Sequence, residues 1–358
     1  MTTDDKQYAQ SSTWNELRSQ AEVWQTVITQ SRDSQVTKEI LSRSAGAKEW
    51  IFVGCGTSFY LAEAAAVCWT TLTGEPARPL PASEILLFPE LVKAGTAAKQ
   101  AIVISRSGRT SEAVRAAAVL RKDLRIPTIG ITCAENSALA RECELCIVLR
   151  TADEKSTVMT RSFTSMLISL QVLAASRAGK ALFIDSLLQM AKGFAAQLPA
   201  IADRMRTFVD NHEFADYIFL GQGAFHGIAR EAALKVMEMS CSYSQFFHAL
   251  EFRHGPKAIV SPATCLTFFI SDTGKEAEAE VLMEMKELGG VIVAVCNRAG
   301  DQIRRAADLV IELDYGADEI SLLAPFVVPC QVMGFFTGLQ KGLNPDQPKN
   351  LTRVVILD

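Results

Sequence analysis

The sequence predicts an α/β protein built from two tandem, doubly wound parallel-sheet domains, and three observations lead there. First, short apolar runs alternate with helical patterns. EWIFVG (49–54) precedes a helical stretch from Phe59 to Leu72, QAIVIS (100–105) precedes another from Ser111 to Lys122, and PTIGITC and LCIVLR follow. Such alternation argues for parallel strands joined by helical crossovers. Second, the series recurs. IFVGCGTSFYLAEAAA is echoed by IFLGQGAFHGIAREAA, with Gly54 and Gly221 167 residues apart, and ISRSGRTSE by ISDTGKEAE, with Gly108 and Gly274 166 apart. Cys133 and Cys296 follow at 163, Glu144 and Asp308 at 164. So small a drift marks a duplicated domain. Third, the glycines at the strand-to-helix turns persist in both copies, as a sharp turn requires.

On this reading residues 46–185 form the first domain and 200–340 the second, with the boundary near Gly179 to Ala200. Residues 341–358 form a tail that reaches the active site. Residues 1–45 form a helical segment, where Trp14, Leu17, Trp24 and Ile28 fall at helical spacing and predict one packing helix. A chain of 358 residues exceeds a single core, in keeping with two domains. Its hydrophobic content of 49%, charged content of 21% and net charge of −4 describe an ordinary globular protein without a basic footprint, which argues against nucleic acid as a partner. No apolar run is expected to reach the roughly 18 residues that span a bilayer, so no membrane association is expected. The polar start MTTDDKQYAQSS argues against a secretory signal. Nine cysteines scattered through apolar runs suit a reducing cytoplasm. The C-x-x-C at Cys143–Cys146 has neither a second pair nor a nearby histidine, so no metal or redox cofactor is expected.

In a sheet of order 2-1-3-4-5 the loops after strands 1 and 3 line one crevice, where ligands bind. CGTS (Cys55–Ser58) follows the first strand and SRSGRT (105–110) the third. Each loop opens a helix, whose free N–H groups and positive dipole end favour an anion. Ser105, Ser107 and Thr110 can add hydroxyl donors and Arg106 or Arg109 a charge-assisted pair, so a phosphate monoester fits. The competing explanation is helix capping by Ser107 or Thr110 with help from Glu112. The second copy reads QGAF and SDTGKEA at these places, so the fold by itself does not demand the hydroxyls. Neither a Walker lysine nor a G-x-G-x-x-G is present. Elsewhere, Glu231, Lys235 and Glu238 are spaced by four and three and share one narrow helical face. That face is either a solvated charged stripe or a site.

Six motifs in order resemble the sugar isomerase (SIS) family: FVGCGTS, ISRSGRTSE, TRSFTSMLISL, AREAALKVMEMS, FRHGP and the tail GLNPDQPKNLTRVVILD. The resemblance covers nearly the whole chain. It implies a flavodoxin-like fold and is strongest to the isomerase half of glucosamine-6-phosphate synthase and to the tagatose-6-phosphate/galactosamine-6-phosphate isomerases and deaminases. By resemblance, Glu238 matches the base that moves a proton between C1 and C2, a task that suits a carboxylate. Lys235 matches the lysine beside it, where an ammonium steadies enediolate charge. His254, one of four histidines, matches the family residue that opens the sugar ring and is supplied by the neighbouring subunit, which implies at least a homodimer. The other three histidines read as packed or surface residues. Thr57 and Ser58 would close over the sugar, and Thr160 matches a residue near the ligand, with Arg161 as electrostatic support.

Two departures set the expected branch. Only about 45 residues precede the first strand, so no glutaminase domain is expected here. Arg353 stands where the synthase has an imine-forming lysine, and an arginine stays protonated. Arg353 therefore pairs either with a phosphate or oxyanion or with a carboxylate. The expected function is an aldose–ketose isomerase of a hexose or hexosamine 6-phosphate, deaminating, needing no metal. The alternatives are a fructosyl-amino-acid 6-phosphate deglycase and, in another class, a sugar-phosphate sensor. A sensor would need the anion loop but not Glu238 and His254 together.

Overall fold

The computed structural model describes residues 8–357, and the first seven residues of the expected N-terminal segment lie outside that range. The chain divides into two compact units. The first-repeat unit comprises residues 22–154, 161–188 and 352–357, and the second-repeat unit residues 8–21, 155–160 and 189–351.

In the first-repeat unit, β1 (Glu49–Gly54) lies between β2 (Ala77–Pro81) and β3 (Lys99–Ile104), and β4 (Thr128–Thr132) and β5 (Leu145–Val148) continue the sheet. The second-repeat unit repeats the plan: β6 (Asp216–Gly221) lies between β7 (Tyr243–Phe247) and β8 (Thr264–Ile270), followed by β9 (Val291–Cys296) and β10 (Leu309–Glu312). All pairings are parallel, so both sheets have the order 2-1-3-4-5. Helices cover both faces, which is why the strands read as unbroken apolar runs. Ile51, Val53, Ile102 and Val103 are fully buried, and each such side chain contributes about 1.5–3 kcal/mol.

The duplication extends to backbone angles. Gly56 and Gly223, which precede the Thr57–Thr73 and Ala224–Ser240 helices, have φ of 53° and 54° with the same ψ of −127°. A Cβ on Gly54 would lie 2.3 Å from the Ser58 carbonyl oxygen, and one on Gly221 2.4 Å from that of Phe225. The helix after each first strand therefore starts so close to the strand end that only glycine fits.

Three expectations change. Trp14, Leu17, Trp24 and Ile28 are all buried, but the expected single helix breaks at Ser19 into Ser12–Arg18 and Gln20–Asp33. The first part and the opening two residues of the second belong to the second-repeat unit, and Glu22–Asp33 to the first-repeat unit. The helix expected over Ser111–Lys122 is α-helical to Ala118 and closes in a π turn over Val119–Asp123. The expectation that no apolar run reaches bilayer length is also corrected. Residues 319–340 are long and apolar enough by composition, and residues 320–338 of this segment are buried. The reason is close packing: Leu323–Gln340 lies against Ala224–Ser240, where a Cβ on Gly334 would be 2.9 Å from the Lys235 carbonyl and one on Gly338 2.4 Å from that of Met239. A helix covered all round can be apolar all round. The region named as the boundary, near Gly179 to Ala200, runs from the turn at Gly179 into a 30-residue helix, Ala181–Asp210, and the two units divide within it, between Leu188 and Gln189.

One buried carboxylate gives the fold a pH dependence. Glu278, 1% exposed, accepts hydrogen bonds from the Ser271 amide at 2.7 Å and from the Ser271 hydroxyl. Burial, with help from nearby Glu319 and against the Ser271 hydrogen bonds, pushes its carboxyl up to about 7. The folded protein thus holds this proton more tightly than the unfolded chain, and stability falls as pH rises from about 4.5 through 7. Glu278→Gln should therefore stabilise the protein at pH 8 by up to about 3 kcal/mol, with the gain gone at pH 4.5. Denaturation midpoints of both proteins at the two pH values check this; a variant less stable at pH 8 would contradict it.

Candidate functional site

The anion loop of the first-repeat unit joins β3 to the Ser111–Ala118 helix. It turns at Gly108, φ 59°, where a Cβ would lie 2.2 Å from the Ser137 hydroxyl oxygen. Thr110 holds the N-cap position with φ −55° and ψ 118°, yet its side chain makes no capping hydrogen bond. Its Oγ1 instead accepts from the Ser105 hydroxyl at 3.3 Å. The Ser107 hydroxyl accepts from the Arg109 amide at 3.2 Å, so it too serves the loop and not the helix. Capping does not account for these hydroxyls. In the loop after β1, Thr57 and Ser58 are buried at the first turn of their helix.

The two arginines differ. Arg109 is exposed. Arg106 is buried; its Nη1 lies 3.5 Å from Glu154 Oε2, and its Nη2 donates to the Arg353 carbonyl at 3.1 Å. The Glu154 side chain is fully buried and also accepts from the Ser162 hydroxyl. Arg353 in turn pairs with Asp153 at 2.8 Å and donates to the Glu154 carbonyl, the carboxylate pairing left open by the sequence. Beyond it the chain runs along the start of the Ser111–Ala118 helix. The Ser111 amide donates to the Val355 carbonyl at 3.3 Å, the Leu357 amide to the Ser111 hydroxyl at 2.9 Å, and Arg115 to the Leu357 carbonyl at 3.2 Å.

Sequence reasoning missed Asp153 and Glu154. Their signal was present: ADEKS (152–156) recurs as ADEIS (317–321) at an offset of 165, within the drift of the other landmarks. In the second-repeat unit, Glu319, the counterpart of Glu154, accepts from the amides of Asp272 at 2.6 Å and Thr273 at 3.1 Å, and from the Thr273 hydroxyl at 2.6 Å. The second copy of the loop is thus filled by the chain's own carboxylate.

The Ala224–Ser240 helix of the second-repeat unit carries the charged face. It is no solvated stripe: Glu231 and Lys235 are fully buried, and the Glu238 side chain is 17% exposed. Lys235 Nζ lies 3.4 Å from Glu231 Oε1 and donates to Glu238. Burial works against the ammonium, but the two carboxylates outweigh it and hold the lysine above its ordinary range. Glu238 lines a pocket of about 210 Å³, together with Cys241, Asn344, Gln347 and Lys349.

The remaining residues fall as follows. His254 is exposed in the turn before Gly255, whose φ is 129°. Thr160 is buried, and its carbonyl accepts from Gln331 at 3.4 Å. Arg161 donates to the Asp153 carbonyl. His212 bonds the Phe208 carbonyl at 2.7 Å and stacks on Phe214, while His226 and His248 stack at 3.8 Å. Cys143 and Cys146 are free thiols, both pushed up to about 12, chiefly by burial.

Comparison with known proteins identifies this architecture. The family model for the SIS domain matches residues 45–176 and again 190–337. The chain belongs to the SIS domain family. It is 27% identical over 331 residues to a glutamine–fructose-6-phosphate aminotransferase of Pyrobaculum aerophilum, covering 87% of this chain and 52% of that one. With the corresponding protein of Caldanaerobacter subterraneus it shares 28% over 339 residues, covering 90% and 54%. The chain therefore spans about half the length of the curated relatives it matches. Among solved structures, glucosamine-6-phosphate deaminase of Thermotoga maritima superposes with a TM-score of 0.77 at 28% identity, covering 97% of this chain and 100% of that one. Tagatose-6-phosphate ketose/aldose isomerase of Escherichia coli shares the fold, with a TM-score of 0.85 at 22% identity and coverage of 97% and 96%.

Proposed function

We propose that this SIS chain is an aldose–ketose isomerase of an amino-hexose 6-phosphate that releases ammonia. The observation that carries the reading is Glu238: a carboxylate fixed by a buried ammonium and lining a pocket. That is what reversible proton transfer beside a carbonyl requires. The similarity to a glucosamine-6-phosphate deaminase over nearly the full length of both chains supports the choice of branch.

In this reading the 6-phosphate is held by the hydroxyls of Ser105, Ser107 and Thr110 and by the start of the Ser111–Ala118 helix, with Thr57 and Ser58 beside the sugar. Thr160 supports the ligand from its buried position. His254, supplied by the partner of a homodimer, moves the proton that opens the ring. Glu238 then takes the C2 proton of the open-chain aldehyde, whose electrons form the C1=C2 enol-amine, and returns a proton to C1. The C2 imine adds water and expels ammonia, leaving the 2-ketose. Lys235 steadies the negative charge as it develops on oxygen. Arg353 cannot form an imine with the ketose; its place in the reading is to anchor the tail.

Purified protein supplied with the 6-phosphates of glucosamine, galactosamine, fructose, tagatose and fructosyl-lysine tests this, with ammonia, amino acid and ketose as readouts. Ammonia from an amino-hexose 6-phosphate is expected. Amino acid from the fructosyl-lysine compound, or binding without turnover, would overturn it. Glu238→Gln should lower kcat by about 10²–10⁴-fold while substrate affinity stays within a few-fold. Ser107→Ala with Thr110→Ala should chiefly raise KM, since phosphate contacts act on ground and transition states alike. A loss confined to kcat would contradict the anion loop.

A further inference from the structure

The two copies of the anion loop solve one problem in opposite ways. Each has a glutamate at the same place in the ADE(K/I)S segment, Glu154 and Glu319. A carboxylate brought that close to protein interior must find donors. Glu319 finds them on the loop itself, taking the amides of Asp272 and Thr273 and the Thr273 hydroxyl. The corresponding donors of the first copy are the amides of Arg106 and Ser107 and the Ser107 hydroxyl. The Glu154 carboxylate instead meets the guanidinium of Arg106, at 3.5 Å, and accepts from the hydroxyl of Ser162. The residue that differs is decisive: Arg106 stands where the second copy has Asp272, an acid that can only repel its neighbouring carboxylate.

We propose that Arg106 is a positioning residue that draws Glu154 away from the Ser105–Thr110 loop and so keeps that loop open to a phosphate ester. In the second copy, where no arginine does this, Glu319 acts as a tethered anion and closes the loop to outside ligands. Both loops keep hydroxyls at two matching places, Ser105/Ser271 and Ser107/Thr273, and the loop read as open adds Thr110 and Ser111 where the other has Glu276 and Ala277. Arg106 thereby has a role other than the direct phosphate contact expected from the sequence. Its charge is already matched by Glu154, and its Nη2 supports the tail at Arg353.

The inference rests on the reading of the first loop as a phosphate site, and the test separates the two. The whole chain and its Arg106→Ala, Glu154→Gln and Arg106→Ala/Glu154→Gln variants are titrated calorimetrically with fructose 6-phosphate. Arg106→Gln, which keeps a polar side chain in the buried position, is carried in parallel, and near-UV circular dichroism verifies folding. Removing the arginine alone should weaken binding by about tenfold or more, because Glu154 then falls onto the loop as Glu319 does. Neutralising Glu154 in the same chain should return affinity to within about threefold of the parent. Glu154→Gln alone should bind as well as the parent or better. Double variants as weak as the arginine variants would make Arg106 a direct ligand and overturn the proposal, as would arginine variants of unchanged affinity. No binding by the parent chain would remove the phosphate-site reading, and this inference with it.

Discussion

The interaction on which the rest depends is the one at the end of a parallel strand, where the chain turns into a helix and leaves a cluster of amide N–H groups without partners. A buried donor left unmet costs about 1–3 kcal/mol, so each such turn must acquire an acceptor. This chain makes the turn four times at the positions that matter, twice in each unit, with Gly54 and Gly221 where a Cβ would strike the following backbone and Gly108 and Gly274 where it would strike packed side chains. What differs is the acceptor. The second unit supplies Glu319 from its own chain. The first supplies neutral groups, the Ser107 hydroxyl to the Arg109 amide and the tail carbonyl of Val355 to the Ser111 amide, which a charged ester can displace. The same backbone geometry is thus structural in one copy and available for binding in the other.

A second constraint shapes the charged helix. Lys235 is buried completely, and an isolated buried ammonium would lose its proton. Two carboxylates on its own helix keep it charged. They can do so because Gly334 and Gly338 let the Leu323–Gln340 helix seal the other side without bulk. The arrangement fixes Glu238 in one position while leaving it in reach of a pocket. Rigid placement of a carboxylate, with water held to one side, favours proton transfer over hydration.

Much of this was legible in the sequence. Parallel pairing and the duplication followed from alternation and a nearly constant offset, because parallel strands buried on both faces carry unmistakable apolar runs; the strand order was taken from the doubly wound sheet that this pattern suits. The hydroxyl loop was legible because its composition exceeded what capping needs. The unread parts depend on pairs distant in sequence. Arg106 meets Glu154 across 48 residues and Arg353 meets Asp153 across 200; no local pattern announces either. The break at Ser19 was hidden because apolar residues keep helical spacing across it. The buried Leu323–Gln340 helix lacked periodicity because all of its faces are covered.

The central claim is that the first loop is open to an anion and the second is not. A crystal of the whole chain grown with a hexose 6-phosphate tests it most directly. The account predicts one phosphate per chain, held by Ser105, Ser107 and Thr110, with Glu319 still seated on the amides of Asp272 and Thr273. A phosphate in the second loop with Glu319 displaced, or a sugar phosphate bound away from Ser105–Thr110, would contradict it.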